Sequence, residues 1–202
     1  MAIDNEIYQN FKIAFENRCF KLLTQAYQTS LTRNVIQLDW NENDISSELH
    51  EYIKVNPLRS KWKVSSNVEA HLPIAISKLK GFSATFPRID FRLTSFMSAF
   101  EYEYFFEAKN LKERDSALKR RYIDTGIDNF TSGKYKEGSL VGYVLDGVTV
   151  NTIDGINKLL KKDSRGTERL IRKLNVLHSD YYESEHSKIG TIKHFLLNFV
   201  PI

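Results

Sequence analysis

FPRIDFRL, residues 86–93, and EYEYFFEAK, residues 101–109, are rich in aromatic and β-branched residues and repeat with a period of two, which is the pattern of strands. Side chains alternate across a strand, so Glu101, Glu103, Phe105, Glu107 and Lys109 share one face, and Tyr102, Tyr104, Phe106 and Ala108 share the other. In the first stretch Arg88, Asp90 and Arg92 face one way, and Ile89, Phe91 and Leu93 the other. A hairpin turning near Ser98 and Ala99 sets Asp90 opposite Glu107, with Cβ atoms about 5 Å apart. Two such acids repel each other unless a cation lies between them. A hard cation such as Mg²⁺ takes oxygen ligands at about 2.1 Å. Lys109, on the same face as Glu107, puts an ammonium where it can steady an attacking water or the charge developing on a phosphate.

Upstream, residues 4–34 space Ile7, Phe11, Phe15, Phe20, Leu22, Leu23, Ala26 and Leu31 near helical intervals and predict one or two helices. NENDISSELHEYI, residues 41–53, predicts another. Asn41 can cap it, Asp44 completes an acidic variant of the capping box, Ile45, Leu49, Tyr52 and Ile53 form a buried stripe, and Pro57 helps stop it. Downstream, a helix is expected from about Asp115 to Thr131, with Leu118, Tyr122, Ile127 and Phe130 on its apolar side. SLVGYVL, residues 139–145, reads as a strand and VNTIDGINKLL, residues 150–160, as a helix; RKLNVLHS, residues 172–179, and TIKHFLLNFV, residues 191–200, read as strands. This order predicts an α/β fold, a mixed β-sheet flanked by helices. In 202 residues there is no repeat, low-complexity tract or Gly/Ser linker. A single domain over 1–202 is expected, mainly helical over 1–80 and with the sheet core and its polar face over 81–202.

No apolar run approaches the roughly 20 residues that span a bilayer, so no membrane partner is expected. MAIDNEIYQNF, at the start, lacks the basic, apolar and small-residue parts of a secretory signal, and Cys19 has no second cysteine to pair with; both favour the cytoplasm. A net charge of +4 and a pI near 9.0 suit a phosphate-rich partner.

Asp90 followed by Glu107-Ala108-Lys109 on an adjoining strand resembles the signature of the PD-(D/E)xK nuclease superfamily, to which many restriction enzymes belong. RRYIDTGIDNFTSGKY, residues 120–135, and LVGYVLDG, residues 140–147, are similar to stretches of bacterial nuclease-like proteins from restriction and defence settings. The likeness covers roughly residues 40–200, mostly as element order. It implies a restriction-endonuclease-like core with N-terminal helices. The implied activity is metal-dependent endonuclease hydrolysis of phosphodiester bonds in nucleic acid, DNA being the expected substrate, in bacterial restriction or phage defence. By the same resemblance Asp90 and Glu107 bind Mg²⁺, for which Mn²⁺ can substitute, the Ala108 carbonyl adds a ligand, and Lys109 assists the nucleophilic water. A further metal-binding glutamate from the preceding helix is implied, with Glu48 the choice and Glu42 an alternative on the same side. Arg121, with Lys119 or Arg120 nearby, is the implied contact to the scissile phosphate. The family's proline stands just before the aspartate, whereas Pro87 is three residues ahead of Asp90. Enzymes that cut both strands often dimerise, so a homodimer or a place in a defence complex is compatible with this reading.

Two other readings stay open: a catalytically inactive nuclease-like DNA-binding or assembly subunit, and an interaction protein whose acidic strand face pairs with Arg88, Arg92 and nearby lysines. Lys158, Lys161, Lys162, Arg165, Arg169, Arg172 and Lys173 suit either a phosphate backbone or a solvated face with Asp163 and Glu168 as partners. His178, His186 and His194 match no zinc spacing, and His194 reads as a hydrogen-bonded residue near the sheet. Tyr102, Tyr104, Phe105 and Phe106 could stack bases, but most fall on or beside the core face, which favours packing.

Overall fold

The computed structural model describes residues 5–71, 88–97, 100–135 and 137–201. Phe86, Pro87 and the turn expected near Ser98 and Ala99 lie outside the described residues. Three helices come first, α1 (Asn5–Arg33), α2 (Glu42–Val55) and α3 (Pro57–Lys61), followed by β1 (Val64–His71), β2 (Arg88–Met97) and β3 (Phe100–Lys112). A helical run then joins α4 (Ser116–Arg121) through a π-helical segment (Tyr122–Ile127) to α5 (Asp128–Thr131). After it come β4 (Gly138–Asp146), α6 (Thr149–Lys162), β5 (Ile171–Arg172), β6 (Tyr181–His186) and β7 (Gly190–Asn198). The strands form one seven-stranded mixed sheet in the order β1-β2-β3-β4-β7-β6-β5. The β3–β4 and β4–β7 pairs are parallel and the other four antiparallel. Among the described residues no helix is long and apolar enough to cross a membrane.

Each face of the sheet carries its own core. Phe91, Leu93, Tyr104, Phe106, Val141, Tyr143 and Phe195 pack under α1 and α2. Phe105, Leu111, Leu140, Val144 and Leu196 pack under the helical run and α6, against Tyr122, Ile123, Ile127, Ile153 and Ile156. Gly142 lets the second core close beside the polar end of β3, because a Cβ there would lie 2.4 Å from Leu196 Cδ1 and 2.7 Å from Leu111 Cδ1. Tyr102, Tyr104, Phe105 and Phe106 are all buried, so they pack rather than present rings to solvent.

The α2 terminus forms as its sequence predicts. The Asn41 side chain accepts from the Asn43 and Asp44 N–H groups at 2.9 and 3.1 Å, and the Asn41 N–H donates to Asp44 Oδ2 at 3.3 Å. Removing that cap should cost about 1 kcal/mol. Asn41→Ala is therefore expected to lower the urea midpoint at unchanged m-value, and an unaltered midpoint would show that the cap contributes nothing.

Several expectations need correcting. Within the mainly helical residues 1–80 one strand was not foreseen: β1 occupies Val64–His71 and pairs with β2, Val64 facing Ser95 and Val68 facing Phe91. RKLNVLHS is not a strand over its length: among the described residues the ladder covers Ile171–Arg172 with one further bond from the Lys173 N–H to the Tyr181 carbonyl, and then the Asn175 side chain accepts from the Leu177 N–H at 2.8 Å, an Asx turn that bends the chain away. The partner of β7 on that side is instead YYESEH, residues 181–186, which forms a hairpin turning into Gly190 at φ +76°. Ile7 and Leu31 are 57 % and 44 % exposed, so the buried stripe of α1 is narrower than its periodicity indicated. Pro57 opens α3 after Asn56 closes α2.

Candidate functional site

β2 and β3 pair with Phe91 facing Phe106 and Leu93 facing Tyr104, the register that brings Asp90 towards Glu107. The ladder stops at Phe91, and Asp90 takes over its last donor: Asp90 Oδ2 accepts from the Ala108 N–H at 2.6 Å. The alternation breaks there too, because Ile89 joins the core under α4–α6 while Phe91 and Leu93 lie in the core under α1. The grouping of Ile89 with Phe91 and Leu93 is therefore wrong by one residue, and the cause is the parting of the two strands at Asp90.

Glu107 and Lys109 are each only 5 % exposed. Lys109 Nζ donates to Glu107 Oε1 at 2.6 Å and to the Ala108 carbonyl at 2.8 Å. Its ammonium thus bridges two of the groups expected to hold a cation. The hydroxyl of Tyr135, from the segment between α5 and β4, donates to Glu107 Oε2 at 2.9 Å. Burial, then the charges of Glu107 and Asp90 and the bond to Glu107, push the Tyr135 hydroxyl well above its ordinary range. Asp90 is partly exposed, and its carboxyl is pushed up to about 7, by burial first and by Glu107 second, against the opposing pull of Lys109. Further along the face, Glu103 pairs with Arg92 at 3.4 Å.

Of the two helix glutamates, Glu42 is the one near this group. Its Oε1 accepts from the Asn110 N–H at 2.8 Å and its Oε2 from Arg121 Nη2 at 2.8 Å, and its charge contributes to the upward shift of Asp90. Ser46, one turn on, meets the Tyr143 hydroxyl at 2.9 Å and so seats this end of α2 on the sheet. Glu48 lies elsewhere: its carboxylate accepts from the Tyr52 hydroxyl at 2.5 Å, in a surface pocket with Trp40, Asp44, Ser47 and Glu51.

The three basic candidates also separate. Arg121 lines a cleft of about 470 Å³ with Glu42, Asn110, Lys112 and Trp40. Arg120 is turned to Asp163 and Asp124. Lys119 is buried, donates to the Glu113 carbonyl and packs where a Cβ on Gly155 would fall, 2.8 Å from its Cδ, so it is not placed to meet a phosphate.

His194 is fully buried and bonded, Nδ1 to the Tyr122 hydroxyl at 2.9 Å and Nε2 to Ser184 Oγ at 2.8 Å; burial holds its pKa down to about 3. It is neutral at any physiological pH and serves the packing of β6 and β7.

Among the described residues no three His, Cys, Asp or Glu side chains form a ready-made ion site. The donors available near Lys109 are the carboxylates of Asp90 and Glu107 and the Ala108 carbonyl, an all-oxygen set of the kind Mg²⁺ takes with water completing the shell. Tyr135 and Asn110 were not visible as partners in the sequence, since both contacts depend on how β4 and α2 dock. No protein-family model, curated protein or solved structure matches the chain.

Proposed function

We propose that the chain is a restriction-endonuclease-like nuclease that hydrolyses phosphodiester bonds of nucleic acid, DNA foremost, with Mg²⁺ at Asp90 and Glu107. The observation that carries this reading is the meeting of Asp90, Glu107 and Lys109 where β2 parts from β3. Element order supports it as well: a helix, three antiparallel strands, a crossing helical run and a parallel fourth strand.

Mg²⁺ bound there would lower the pKa of a water and offset negative charge on phosphorus. The chain's own part is positional. Asp90 is fixed by the Ala108 N–H, and Glu107 by Lys109 and Tyr135. Lys109 can leave the Ala108 carbonyl to hold the attacking water or the pentacoordinate oxygens. Arg121, whose side chain is 52 % exposed, can exchange Glu42 for a phosphate of the substrate.

One observation favours a second reading, a nuclease-shaped subunit that grips DNA without cutting it: Glu107 and Lys109 are closed in beneath Tyr135. Incubation with plasmid, linear duplex, single strand and RNA separates the two. Cleavage in Mg²⁺ or Mn²⁺ that stops with EDTA is the result expected of the nuclease. Binding with no cleavage of any substrate selects the subunit, and cleavage that persists in EDTA excludes the proposed chemistry.

A further inference from the structure

The cations outside the site fall into two groups. Arg120, Arg165 and Arg172 are engaged, by Asp163, by Asp128 and Glu168, and by Asp180. Lys158, Lys161, Lys162, Arg169 and Lys173 are exposed and make no ion pair among the described residues. Asp163, Asp128, Glu168 and Asp180 are thus taken by arginines, and the lysines of α6 keep their charge unpaired among the described residues.

Tertiary structure gathers the free cations. α6 buries Thr152, Ile153, Ile156 and Leu160, and at 100° per residue Lys158, Lys161 and Lys162 project from the opposite side. The Asn157 side chain accepts from the Leu170 N–H at 2.8 Å and donates to the Leu170 carbonyl at 3.1 Å. That clamp ties the segment that carries Arg169 to α6. The chain runs on through β5, where the Lys173 N–H donates to the Tyr181 carbonyl at 3.0 Å, to a tip on which Leu174 and Val176 are 104 % and 103 % exposed. Such a tip, apolar and preceded by Lys173, suits insertion against bases in a groove.

Strand register relates this surface to the site. Glu107 is level with Leu140, Leu140 with His194, His194 with Tyr182 and Tyr182 with Arg172. Four strand spacings of about 4.8 Å put the β5 edge roughly 19 Å from Glu107. That length corresponds to about six base pairs of duplex at 3.4 Å each.

We propose that the lysine face of α6 with Arg169 and Lys173 holds the phosphate backbone of a duplex, and that Leu174 and Val176 enter its groove about six base pairs from the cut. This rests on the nuclease reading for the position of the cut but not for the binding itself. The test is fluorescence anisotropy of a 30-base-pair duplex in EDTA across a salt series. The proteins compared are wild type, Lys158→Gln/Lys161→Gln/Lys162→Gln and Leu174→Ser/Val176→Ser, with phosphatidylserine vesicles as competitor.

The triple variant is expected to bind at least tenfold more weakly, with the slope of log affinity on log salt smaller by about 2.7, at roughly 0.9 for each phosphate no longer neutralised. The serine variant is expected to bind about fivefold more weakly at unchanged slope. Wild-type affinity and slope in the triple variant overturn the proposal, as does vesicle binding that the duplex does not displace. Duplex binding lost in the triple variant of a protein that never cuts keeps this surface and removes the nuclease; Mg²⁺-dependent cutting with binding unchanged in that variant does the reverse.

Discussion

Lys109→Met should lower Mg²⁺-dependent cleavage by about 10³-fold and, separately, destabilise the metal-free protein by about 3–5 kcal/mol at pH 8. Methionine keeps the unbranched stem and most of the volume, so the change isolates the ammonium. The side chains of Lys109 and Glu107 are both 7 % exposed and their charges are 2.6 Å apart. Without the ammonium Glu107 keeps, among the described residues, the Tyr135 hydroxyl alone, and it stays buried beside Asp90. A buried carboxylate stripped of its partner costs far more than the intact pair contributes, because desolvation is no longer offset. Urea melts in EDTA and in Mg²⁺ distinguish the roles. Divalent ion should restore part of the lost stability by supplying positive charge between the acids, whereas cleavage should stay lost because no ammonium is left for the water. Equal melts of the variant with and without Mg²⁺ would mean that Asp90 and Glu107 do not hold an ion.

Strand parity joined to a hairpin register carried the reading of the site part of the way, although the alternation breaks at Asp90. Period two in the two stretches placed Asp90 near Glu107, and the β2–β3 register agrees with it. The helix expected from Asp115 to Thr131 and the cap at Asn41 were equally legible, since each depends on a few local residues. What escaped depends on contacts made far along the chain. β1 and β6 carry modest strand signals and exist because β2 and β7 offer them a ladder. Tyr135 reaches Glu107 only because β4 returns parallel to β3, with Gly138 beside Phe105. The choice of Glu48 over Glu42 was a different kind of miss, for the signal was present. Residues 42, 45, 46, 49 and 53 lie at spacings of three and four along one side of α2, and all five are buried. Glu42 belongs to that buried row, while Glu48 pairs with Tyr52 at its margin.

In EDTA at pH 8, Asp90→Asn should be more stable than wild type by about 2 kcal/mol, although it removes a residue assigned to the site. The Asp90 carboxyl is held near 7 in the folded chain, against an ordinary value of 3.8. Below about pH 4 folded and unfolded chains both keep the proton, and the group adds no pH dependence. Between these values the unfolded chain loses the proton and the folded chain retains it, so stability falls as pH rises; above 7 the whole penalty is present. The interval corresponds to about 4 kcal/mol at most, and partial exposure of Asp90 brings the expected figure to about half of that. Asparagine has no charge to desolvate or to oppose Glu107, yet its Oδ1 can still accept from the Ala108 N–H. Mg²⁺ should invert the order. At a hundredfold excess over its dissociation constant it adds about 2.7 kcal/mol to wild type, while the amide, a poorer ligand, gains little and cuts no substrate. Thermal melts of both proteins at pH 4, 6 and 8, with and without Mg²⁺, read all of this at once. An Asp90→Asn protein less stable than wild type in EDTA at pH 8, or stabilised equally by the ion, would leave Asp90 as a strand-end cap for Ala108 and nothing more.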